Sequence, residues 1–363
     1  MRVTRVSIGI CLAALSLSGC VEKPVIAAKY EAENCRRVAL YDQATGARIN
    51  GAEDIAIDRM GEQVFISAYN RHAAEQAVKQ RAFAIPEGGV YAISIKTLLE
   101  NDSNILTIPP IAAANEIPGG LRPHGISYDA TAKEVVFINR SYQRINNRWT
   151  MTPRIERIGA GGEAFVGQSE IAPCAANDIH ASASGTLASF DHASCDWRAG
   201  VEDTFSLGRS GVVQDGNILF QGAKFANGIT RTLDGTLILA ATREKALIIM
   251  DETSGKLTVK KKISLPGGPD NLTIAQDGSV VAALHPSLVK MGLHRKLNIG
   301  RSPSRIVKIG TAPNGAIGAS DIEFLYDDSA ALQFAAATVA VEWGNVLIAG
   351  SVLDDGLLVC EKS

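Results

Sequence analysis

The stretch Phe225-Ala226-Asn227-Gly228-Ile229 contains one of six similar three-residue segments, which we call steps, that decide the fold of this chain. Each step leads into an apolar strand, a turn and a second strand-like run. Five of the six steps have a hydrogen-bonding or charged residue at the same position. The six steps are Glu53-Asp54-Ile55, His124-Gly125-Ile126, Asn177-Asp178-Ile179, Asn227-Gly228-Ile229, Asp270-Asn271-Leu272 and Ala336-Ala337-Thr338. Their spacings of 71, 53, 50, 43 and 66 residues are typical of a radial array with one sheet per repeat. The sequence therefore predicts an all-β fold, a six-bladed β-propeller.

Length and composition agree with one large domain. The chain has 363 residues, of which 46% are hydrophobic, and this is enough for one extensive core. Its net charge of -2 excludes the basic footprint of a nucleic-acid-binding protein. A propeller closes its ring by pairing its chain ends, so we expect residues 35–42 to join the last blade as a strand.

The first twenty residues have the pattern of an export signal. Arg2 and Arg5 precede the apolar stretch 6–17, which is too short to span a bilayer as a helix. The stretch ends in Leu17-Ser18-Gly19-Cys20, which resembles a bacterial lipobox whose cysteine becomes the lipidated first residue. An ordinary secretory signal is the alternative. Val21, rather than an aspartate, follows the cysteine and argues against retention in the inner membrane.

These features predict three parts of the chain: a lipoprotein signal peptide (1–19), a lipidated tether (20–34) and the propeller (35–363). Cys20 would anchor the exported protein in the bacterial cell envelope. We expect the anchor to lie in the outer membrane, at its periplasmic face.

Cysteine usage also fits an exported protein. Of six cysteines, one lies within the signal peptide and Cys20 is expected to carry lipid. The even number that remains suggests two disulfides in an oxidising compartment. A bond between Cys35 and Cys360 would join the two ends of the propeller, and closing so long a loop stabilises by about 4–5 kcal/mol in the chain-entropy model. Cys174 and Cys195 form the other candidate pair, for which free buried thiols are the alternative.

The steps place side-chain oxygen donors at the same position of each repeat. Equivalent positions in a propeller lie at equal distances from its axis. We therefore expect these side chains to converge on one central site. Carboxylate and amide oxygens in such numbers suit calcium better than zinc or copper. Asx turns at strand starts are the alternative interpretation, but they explain five copies in phase poorly.

Neighbouring residues of a strand face opposite ways, so the steps predict two calcium ions along the axis rather than one. The residues expected to bind the first ion are Glu53, Asn177, Asn227, Asp270 and Asn271. The second ion would be bound by Asp54, Asp178 and the backbone carbonyl of Ile126.

His124 occupies the same position of its repeat as the oxygen donors do of theirs, although imidazole is a poor calcium ligand. A histidine beside a calcium site is better interpreted as a general base that works near neutral pH. A purely structural histidine is the alternative. Asp191, His192 and His285 lie at or near the ends of repeat strands and are further candidates to line the same face.

Two long polar segments interrupt the repeats. Residues 71–88 are partly helical in composition and predict a loop or lid over one face. Residues 286–305 are strongly basic and include Arg295 and Lys296. Such a segment would meet lipid headgroups or an acidic substrate, unless it is simply a solvated loop.

Together these motifs resemble the paraoxonase family of serum arylesterases and lactonases. The matching stretches are Gly51-Ala-Glu-Asp-Ile55, Arg122-Pro-His-Gly-Ile-Ser127, Asn177-Asp-Ile179, Phe225-Ala-Asn-Gly-Ile229, Asp270-Asn271, His285-Pro286, Gly350-Ser-Val352 and Cys360-Glu361, in order along nearly the whole mature chain. Related gluconolactonase-like and strictosidine-synthase-like propellers share the general layout. The resemblance implies a six-bladed propeller with two axial calcium ions at the positions above, an end-to-end disulfide, and His124 as the first histidine of a catalytic dyad.

One departure from that family concerns the second dyad histidine, which follows an asparagine on the next strand. This chain has Asn139-Arg140 there, and an arginine cannot act as a general base at ordinary pH. Arg140 would instead hold an anionic substrate group or stabilise an oxyanion. The departure puts arylesterase and phosphotriesterase activity in doubt more than lactonase activity.

The resemblance implies calcium-dependent hydrolysis of a small-molecule lactone or ester. The first calcium ion would polarise the carbonyl group while His124 deprotonates the attacking water. A sugar-lactonase-like propeller enzyme is one alternative, and a non-catalytic envelope scaffold that binds calcium only for stability is the other. The expected partners are the substrate and, through the Cys20 anchor, the membrane.

Overall fold

The computed structural model describes residues 27–362 except 113–116, 118, 162–169 and 312–316. The predicted signal peptide and the predicted lipidation site, Cys20, lie outside the described residues. Within the described part, six sheets form the blades of a β-propeller, which confirms the predicted fold class. No helix among these residues is long and apolar enough to cross a membrane.

The strands of the first two blades follow chain order, but other strands are interposed between them. In chain order the strands of this half are β1 (Cys35–Asp42), β2 (Ala52–Asp58), β3 (Gln63–Ala68), β4 (Gly89–Ser94), β5 (Ile105–Ile108), β6 (Pro110–Ala112), β7 (Pro123–Asp129), β8 (Glu134–Asn139), β9 (Tyr142–Ile145), β10 (Arg148–Met151), β11 (Arg154–Gly159) and β12 (Glu170–Ile171). Blade one has the order β2-β3-β4-β6, blade two has the order β7-β8-β11-β12, and β9 and β10 form a separate hairpin. Strands β1 and β5 pair in parallel and belong to the last blade.

Blades three to six continue the pattern. Their strands are β13 (Ala176–Ser182), β14 (Gly185–Phe190), β15 (Ser210–Gln214), β16 (Asn217–Ala223), β17 (Ala226–Arg231), β18 (Leu237–Ala241), β19 (Ala246–Thr253), β20 (Lys256–Ser264), β21 (Gly268–Ile274), β22 (Val280–His285), β23 (Ser304–Thr311), β24 (Ile317–Asp328), β25 (Ala337–Trp343), β26 (Val346–Ser351) and β27 (Leu357–Glu361). Blades three, four and five each consist of four consecutive strands, and blade six has the order β25-β26-β27-β1-β5. Strand β1 is antiparallel to β27, with Cys35 opposite Cys360.

Four α-helices of the described chain lie in connections between strands: α1 (Arg71–Lys79), α2 (Ile95–Glu100), α3 (Trp197–Phe205) and α4 (Leu288–Leu297). Before each helix stands a polar residue whose side-chain oxygen accepts a hydrogen bond from a backbone N–H of the first turn. These four residues are Asn70, Ser94, Asp196 and Ser287. Such caps satisfy N–H groups that have no partner within the helix, and they explain where the helices begin.

The six steps lie in, or directly before, the first strand of each blade. Each first strand contacts the first strand of the next blade, and β25 contacts β2, so the six enclose a central channel. At every step the pairing between the first and second strand shifts register, as in a β-bulge. A bulge re-aims the side chains beside it, so the repeated bulges present the step residues at repeated positions around the channel.

Glycine is required at two of the steps because neighbouring first strands approach closely there. A Cβ atom added at Gly125 would lie 2.5 Å from the Cα of Asp178. One added at Gly228 would lie 2.6 Å from the carbonyl oxygen of Asp270. Side chains do not tolerate such distances to a backbone, so each of these steps keeps one polar residue and leaves its second position without a side chain.

Apolar side chains of neighbouring sheets fill the space between blades. Between blades one and six, for example, Ile66, Ile93, Val341, Ile348 and Val359 belong to one buried cluster. Similar clusters lie at the other blade contacts, and burial of this apolar surface holds the sheets in the ring.

Both candidate disulfides are present, joining Cys35 to Cys360 and Cys174 to Cys195. Two disulfides are typical of a protein exported to an oxidising compartment. The first bond lies between β1 and β27, the two strands at the ends of the described propeller.

The carboxyl-terminal end of the predicted tether packs against the propeller. The Tyr30 ring is buried, and the Tyr30 N–H donates a hydrogen bond to the carbonyl oxygen of Leu325. Lys29 Nζ lies 2.7 Å from Glu342 Oε1. An aromatic ring and an ion pair thus hold residues 29 and 30 against the propeller, and the boundaries of the tether stay a prediction.

Candidate functional site

Four of the five residues expected to bind the first ion line a cavity of about 270 Å³ on the central channel. They are Glu53, Asn177, Asn227 and Asp270, each from the first strand of a different blade. The fifth, Asn271, is buried beside them and donates a hydrogen bond from Nδ2 to the carbonyl oxygen of Glu53. The fold therefore brings these oxygen donors together, while their binding of calcium stays a prediction.

Hydrogen bonds orient the asparagine side chains of this set. Asn177 Nδ2 donates to Asp191 Oδ2 (3.2 Å), and Asn227 Nδ2 donates to Asp270 Oδ1. Three buried oxygens nearby accept no hydrogen bond from any described residue, and they are Glu53 Oε2, Asn227 Oδ1 and Asn271 Oδ1. Buried oxygens without a donor are unfavourable unless a cation or water binds them.

The donor set fits a hard cation such as calcium, which prefers carboxylate and amide oxygens. The described residues contain no cluster of three or more His, Cys, Asp or Glu side chains that would bind a metal on its own. The amide oxygens of Asn177, Asn227 and Asn271 are therefore essential to any calcium site here.

Asp54 and Asp178 line a separate cavity of about 180 Å³ together with Ile126. This cavity lies further along the same strands, because each aspartate faces away from the step residue before it. The N–H of Ile126 donates to Asp54 Oδ2 (2.8 Å), and the N–H of Ile229 donates to Asp178 Oδ2 (2.7 Å). These bonds connect first strands of neighbouring blades, β2 to β7 and β13 to β17.

The two aspartates of the second cavity strongly influence each other. Burial raises the pKa of both carboxyls, that of Asp178 to about 7. The charge of Asp178 raises the pKa of Asp54 further. A cation between two buried carboxylates would offset their repulsion. The residues thus fit the second predicted ion, and the carbonyl of Ile126 as its ligand stays a prediction.

His124 lies beside Glu53 and is fully buried, so it does not line the first cavity. Its Nδ1 is 2.5 Å from Glu53 Oε2, but the two groups are not aligned for a hydrogen bond. Burial, followed by the charge of Arg140, lowers the pKa of His124 to about 3, although Glu53 opposes this shift. At neutral pH His124 is therefore uncharged.

Glu53 is ionised at neutral pH in spite of its burial. Burial raises its pKa, but His124 and the charges of Arg71 and Arg140 lower it to about 2 overall. Glu53 is therefore an anionic donor for a cation in the first cavity.

Two of the further candidates occupy different places around the cavity. His285 lines it, and His285 Nε2 is 2.6 Å from Asp270 Oδ2. Arg140 does not line it, but it is close enough to His124 and Glu53 to lower the pKa of each. The structure thus places a guanidinium group beside the predicted base.

Asp191 and His192 lie behind Asn177 and do not line the cavity. His192 Nδ1 is 2.7 Å from Asp191 Oδ1, and its Nε2 is 3.1 Å from Asp203 Oδ1. Burial lowers the pKa of His192, but hydrogen bonds to both carboxylates raise it to about 10 overall. His192 is therefore an imidazolium that fixes Asp191, which in turn orients Asn177.

Much of the positive charge of the cavity was not anticipated from the sequence. The cationic side chains that line it are Arg71, Arg243, Arg295 and Lys296. Arg71 begins α1, and Arg295 and Lys296 lie near the end of α4. The basic composition of the two polar segments was the signal for Arg71, Arg295 and Lys296, but it did not show which way they face. Arg243 lies outside both segments and had no such signal.

Most of the remaining cavity wall is apolar. Its large apolar side chains are Phe225, Leu288, Val289, Met291 and Val352. Apolar walls with a few convergent polar groups are the usual form of a small-molecule site. The cavity therefore suits a ligand with both an apolar part and an anionic or carbonyl part.

Comparison with models of known protein families finds no match, and comparison with curated proteins finds none either. Among solved structures, a candidate gluconolactonase is 14% identical, with 93% of each chain covered and a TM-score of 0.50. The aldose sugar dehydrogenase of Streptomyces coelicolor, solved with PQQ bound, is 13% identical, with 86% of this chain and 94% of that chain covered and a TM-score of 0.50. A gluconolactonase from Xanthomonas campestris is 13% identical, with 87% and 90% covered and a TM-score of 0.47. At these identities the similarity shows that this chain has the propeller fold, and the fold alone.

Proposed function

We propose that this protein is a calcium-dependent hydrolase of lactones or esters, of the paraoxonase-like type. One observation carries the proposal: buried oxygens of Glu53, Asn227 and Asn271 without hydrogen-bond donors converge beside a cavity large enough for a small substrate. A calcium ion bound there would polarise a substrate carbonyl group and stabilise the negative charge on its oxygen. A second ion at Asp54 and Asp178, with the carbonyl of Ile126, would brace the first strands.

His124 is the proposed general base. Its ring is uncharged at pH 7, and its Nε2 has no hydrogen-bond partner among the described residues, so a lone pair is available for a proton from water. A pKa of about 3 makes the ring a weak base, and the role requires a water molecule to reach Nε2 beyond the residues that line the first cavity. The oxygen of the attacking water would add to the carbonyl carbon, and the ring or ester C–O bond would then break to give an acid and an alcohol. His285 is the neighbouring histidine to compare with it, since Asp270 engages its Nε2 while its Nδ1 has no hydrogen-bond partner among the described residues.

A sugar lactonase is the second candidate, since two of the similar propellers are described as gluconolactonases. The cavity wall argues against a polyhydroxylated ring as the main substrate. Phe225, Leu288 and Met291 offer apolar surface rather than hydrogen bonds to hydroxyl groups. We therefore favour lactones or esters with an apolar part.

We also propose that the enzyme works in the bacterial cell envelope, attached to the outer membrane through lipid on Cys20. The two disulfides support export to an oxidising compartment. Lipid attachment is testable by the membrane release that Cys20→Ser would cause.

The proposed function is tested by hydrolysis of aliphatic lactones and phenyl acetate before and after calcium removal with a chelator. We expect lactone turnover that is lost on chelation and restored by added calcium. Glu53→Gln should raise the calcium concentration needed for half-maximal activity by at least tenfold, because it removes the ionised donor of the first site.

Two histidine variants separate the proposed base from its neighbour. His124→Gln should lower kcat for lactones by about 100-fold or more without changing calcium affinity more than a few-fold, and His285→Gln should lower it much less. No turnover of any ester or lactone, with a large calcium-dependent rise in melting temperature, would instead favour the non-catalytic scaffold.

A further inference from the structure

We propose that the first cavity selects substrates carrying an oxyanion, a carboxylate or a phosphate group, recognised by Arg71 and Arg295 with Arg140 behind them. This inference rests on the proposed function, because it names the substrate class of the same cavity. Its basis is a cluster of three buried or partly buried guanidinium groups, two of which share one carboxylate while the third has no partner among the described residues.

Arg140 is the clearest of these groups. The residue is only 8% exposed, and its Nε is buried without a hydrogen-bond partner. Its guanidinium forms no hydrogen bond or ion pair with any described residue. A buried charge without a partner is strongly unfavourable. Since Arg140 does not line the cavity, its charge acts from behind the wall and favours an anion held there by the lining arginines.

The carboxylates that lie close enough to Arg140 to feel its charge are already engaged. Asp191 is bound to His192 at 2.7 Å. Glu75 contacts the other two arginines, and Glu53 belongs to the proposed calcium site. No described carboxylate therefore remains to pair with Arg140.

Arg71 and Arg295 share a single carboxylate. Arg71 Nε is 3.5 Å from Glu75 Oε1, and Arg295 Nη2 is 3.4 Å from the same oxygen. The Nε of Arg71 is nevertheless buried and makes no hydrogen bond to the described residues. The charge of Arg71 also lowers the pKa of Arg295, so the two guanidiniums repel each other. Three guanidinium groups thus have one carboxylate, Glu75, among them.

The position of the cluster fits recognition of a substrate group rather than a purely structural role. Arg71 and Arg295 line the cavity from α1 and α4, and the predicted ligand Glu53 lines the same cavity. Arg243 offers a contrast, since it also lines the cavity but is paired with Asp203 at 2.8 Å. Guanidinium groups form paired hydrogen bonds with carboxylate and phosphate oxygens, so an oxyanion would satisfy the donors that are now unused.

Binding is tested first, with calcium present and without any reaction. The ligands are the lactam 2-pyrrolidone bearing a ring carboxylate, the same lactam with a neutral carboxamide of equal size, and inorganic phosphate. We expect calorimetry to show the carboxylate or phosphate binding at least tenfold more tightly than the carboxamide. A carboxylate stronger than phosphate would assign a carboxylated substrate, and the reverse order a phosphorylated one.

Substitutions then assign the preference to the arginine cluster. Arg295→Gln and Arg71→Gln should each reduce the preference for the anionic ligand at least tenfold. Arg140→Lys should keep most of the preference, because it keeps the charge, whereas Arg140→Gln should not. Arg305→Gln is the matched control, since the Arg305 side chain is as buried as that of Arg71 but is paired with Asp327 at 2.6 Å outside the cavity.

The outcomes distinguish this inference from the proposed function. Equal affinity for the carboxylate, the carboxamide and phosphate would overturn the inference, even if neutral lactones are hydrolysed. Arginine-dependent binding of the anions without hydrolysis of any lactone or ester would support the anion site and overturn the proposed function. Anion binding that survives in Arg71→Gln, Arg295→Gln and Arg140→Gln would place the anion elsewhere and also contradict the inference.

Discussion

Single residues around the first cavity are prepared by their neighbours. Asn177 and Asn227 each donate from the amide nitrogen to an aspartate, and this leaves the amide oxygens available. His192 acts one contact further away, because its imidazolium lies between Asp191 and Asp203 and holds Asp191 in place. The oxygen donors themselves were readable in the sequence as polar residues interrupting apolar strands. Their supporting partners were not, since Asp203 comes from α3, a separate segment.

Replacing His192 tests this residue-level support. His192→Gln should lower the free energy of unfolding by about 2–3 kcal/mol near pH 6, because a half-buried imidazolium loses two carboxylate partners. The pKa of His192 is raised to about 10 in the fold, against about 6.5 when unfolded. Its contribution is therefore complete below about pH 6.5, while the carboxyls stay ionised, and falls to nothing above about pH 10.

Urea unfolding of the parent and of His192→Gln at pH 6 and at pH 10.5 measures this dependence. We expect the two proteins to differ clearly at the lower pH and to converge at the higher one. The same difference at both values would mean that His192 contributes by packing, for instance against Phe225, rather than by charge.

At the scale of strands and helices, the regular elements were predictable and the connections were not. The step residues mark first strands because polar and glycine positions recur before apolar runs, and the bulges occur at these positions. The segments 71–88 and 286–305 were recognisable as excursions with basic residues. Their helices α1 and α4 turn Arg71 and Arg295 toward the cavity, and this orientation depends on contacts between distant segments such as the Glu75–Arg295 pair.

The approach of neighbouring first strands makes Gly228 a test of the element scale. Gly228→Ala should lower the free energy of unfolding by about 1–3 kcal/mol, because its Cβ meets the backbone of β21 at Asp270 and Asn271. Displacement of β21 should also weaken calcium binding. Gly200→Ala within α3 is the control: its Cβ meets nothing within 4 Å, and we expect stability to be unchanged or raised by up to about 1 kcal/mol. Urea unfolding with and without calcium measures both effects, and equal behaviour of the two variants would contradict the packing argument.

At the scale of the whole molecule, the last blade combines both ends of the described chain. Strand β1 adds to β27, and Cys35 is bonded to Cys360 across a separation of 325 residues. The spacing of the steps predicted the six blades, and the positions of these cysteines suggested their pairing. The packing of Tyr30 against the ring was not predictable, because the segment before Cys35 has the composition of a tether.

The double substitution Cys35→Ser with Cys360→Ser tests what the bond contributes to the closed ring. Without it the unfolded chain gains the freedom of a very long loop, so the free energy of unfolding should fall by about 5 kcal/mol in the chain-entropy model. Removing Cys174 and Cys195 instead should cost about 3 kcal/mol, since that bond closes a separation of only 21 residues. Melting curves of both variants under oxidising conditions decide the point. If the end-to-end variant melts no lower than the parent, the hydrogen bonds between β1 and β27 and the apolar contacts of the last blade hold the ring without the disulfide.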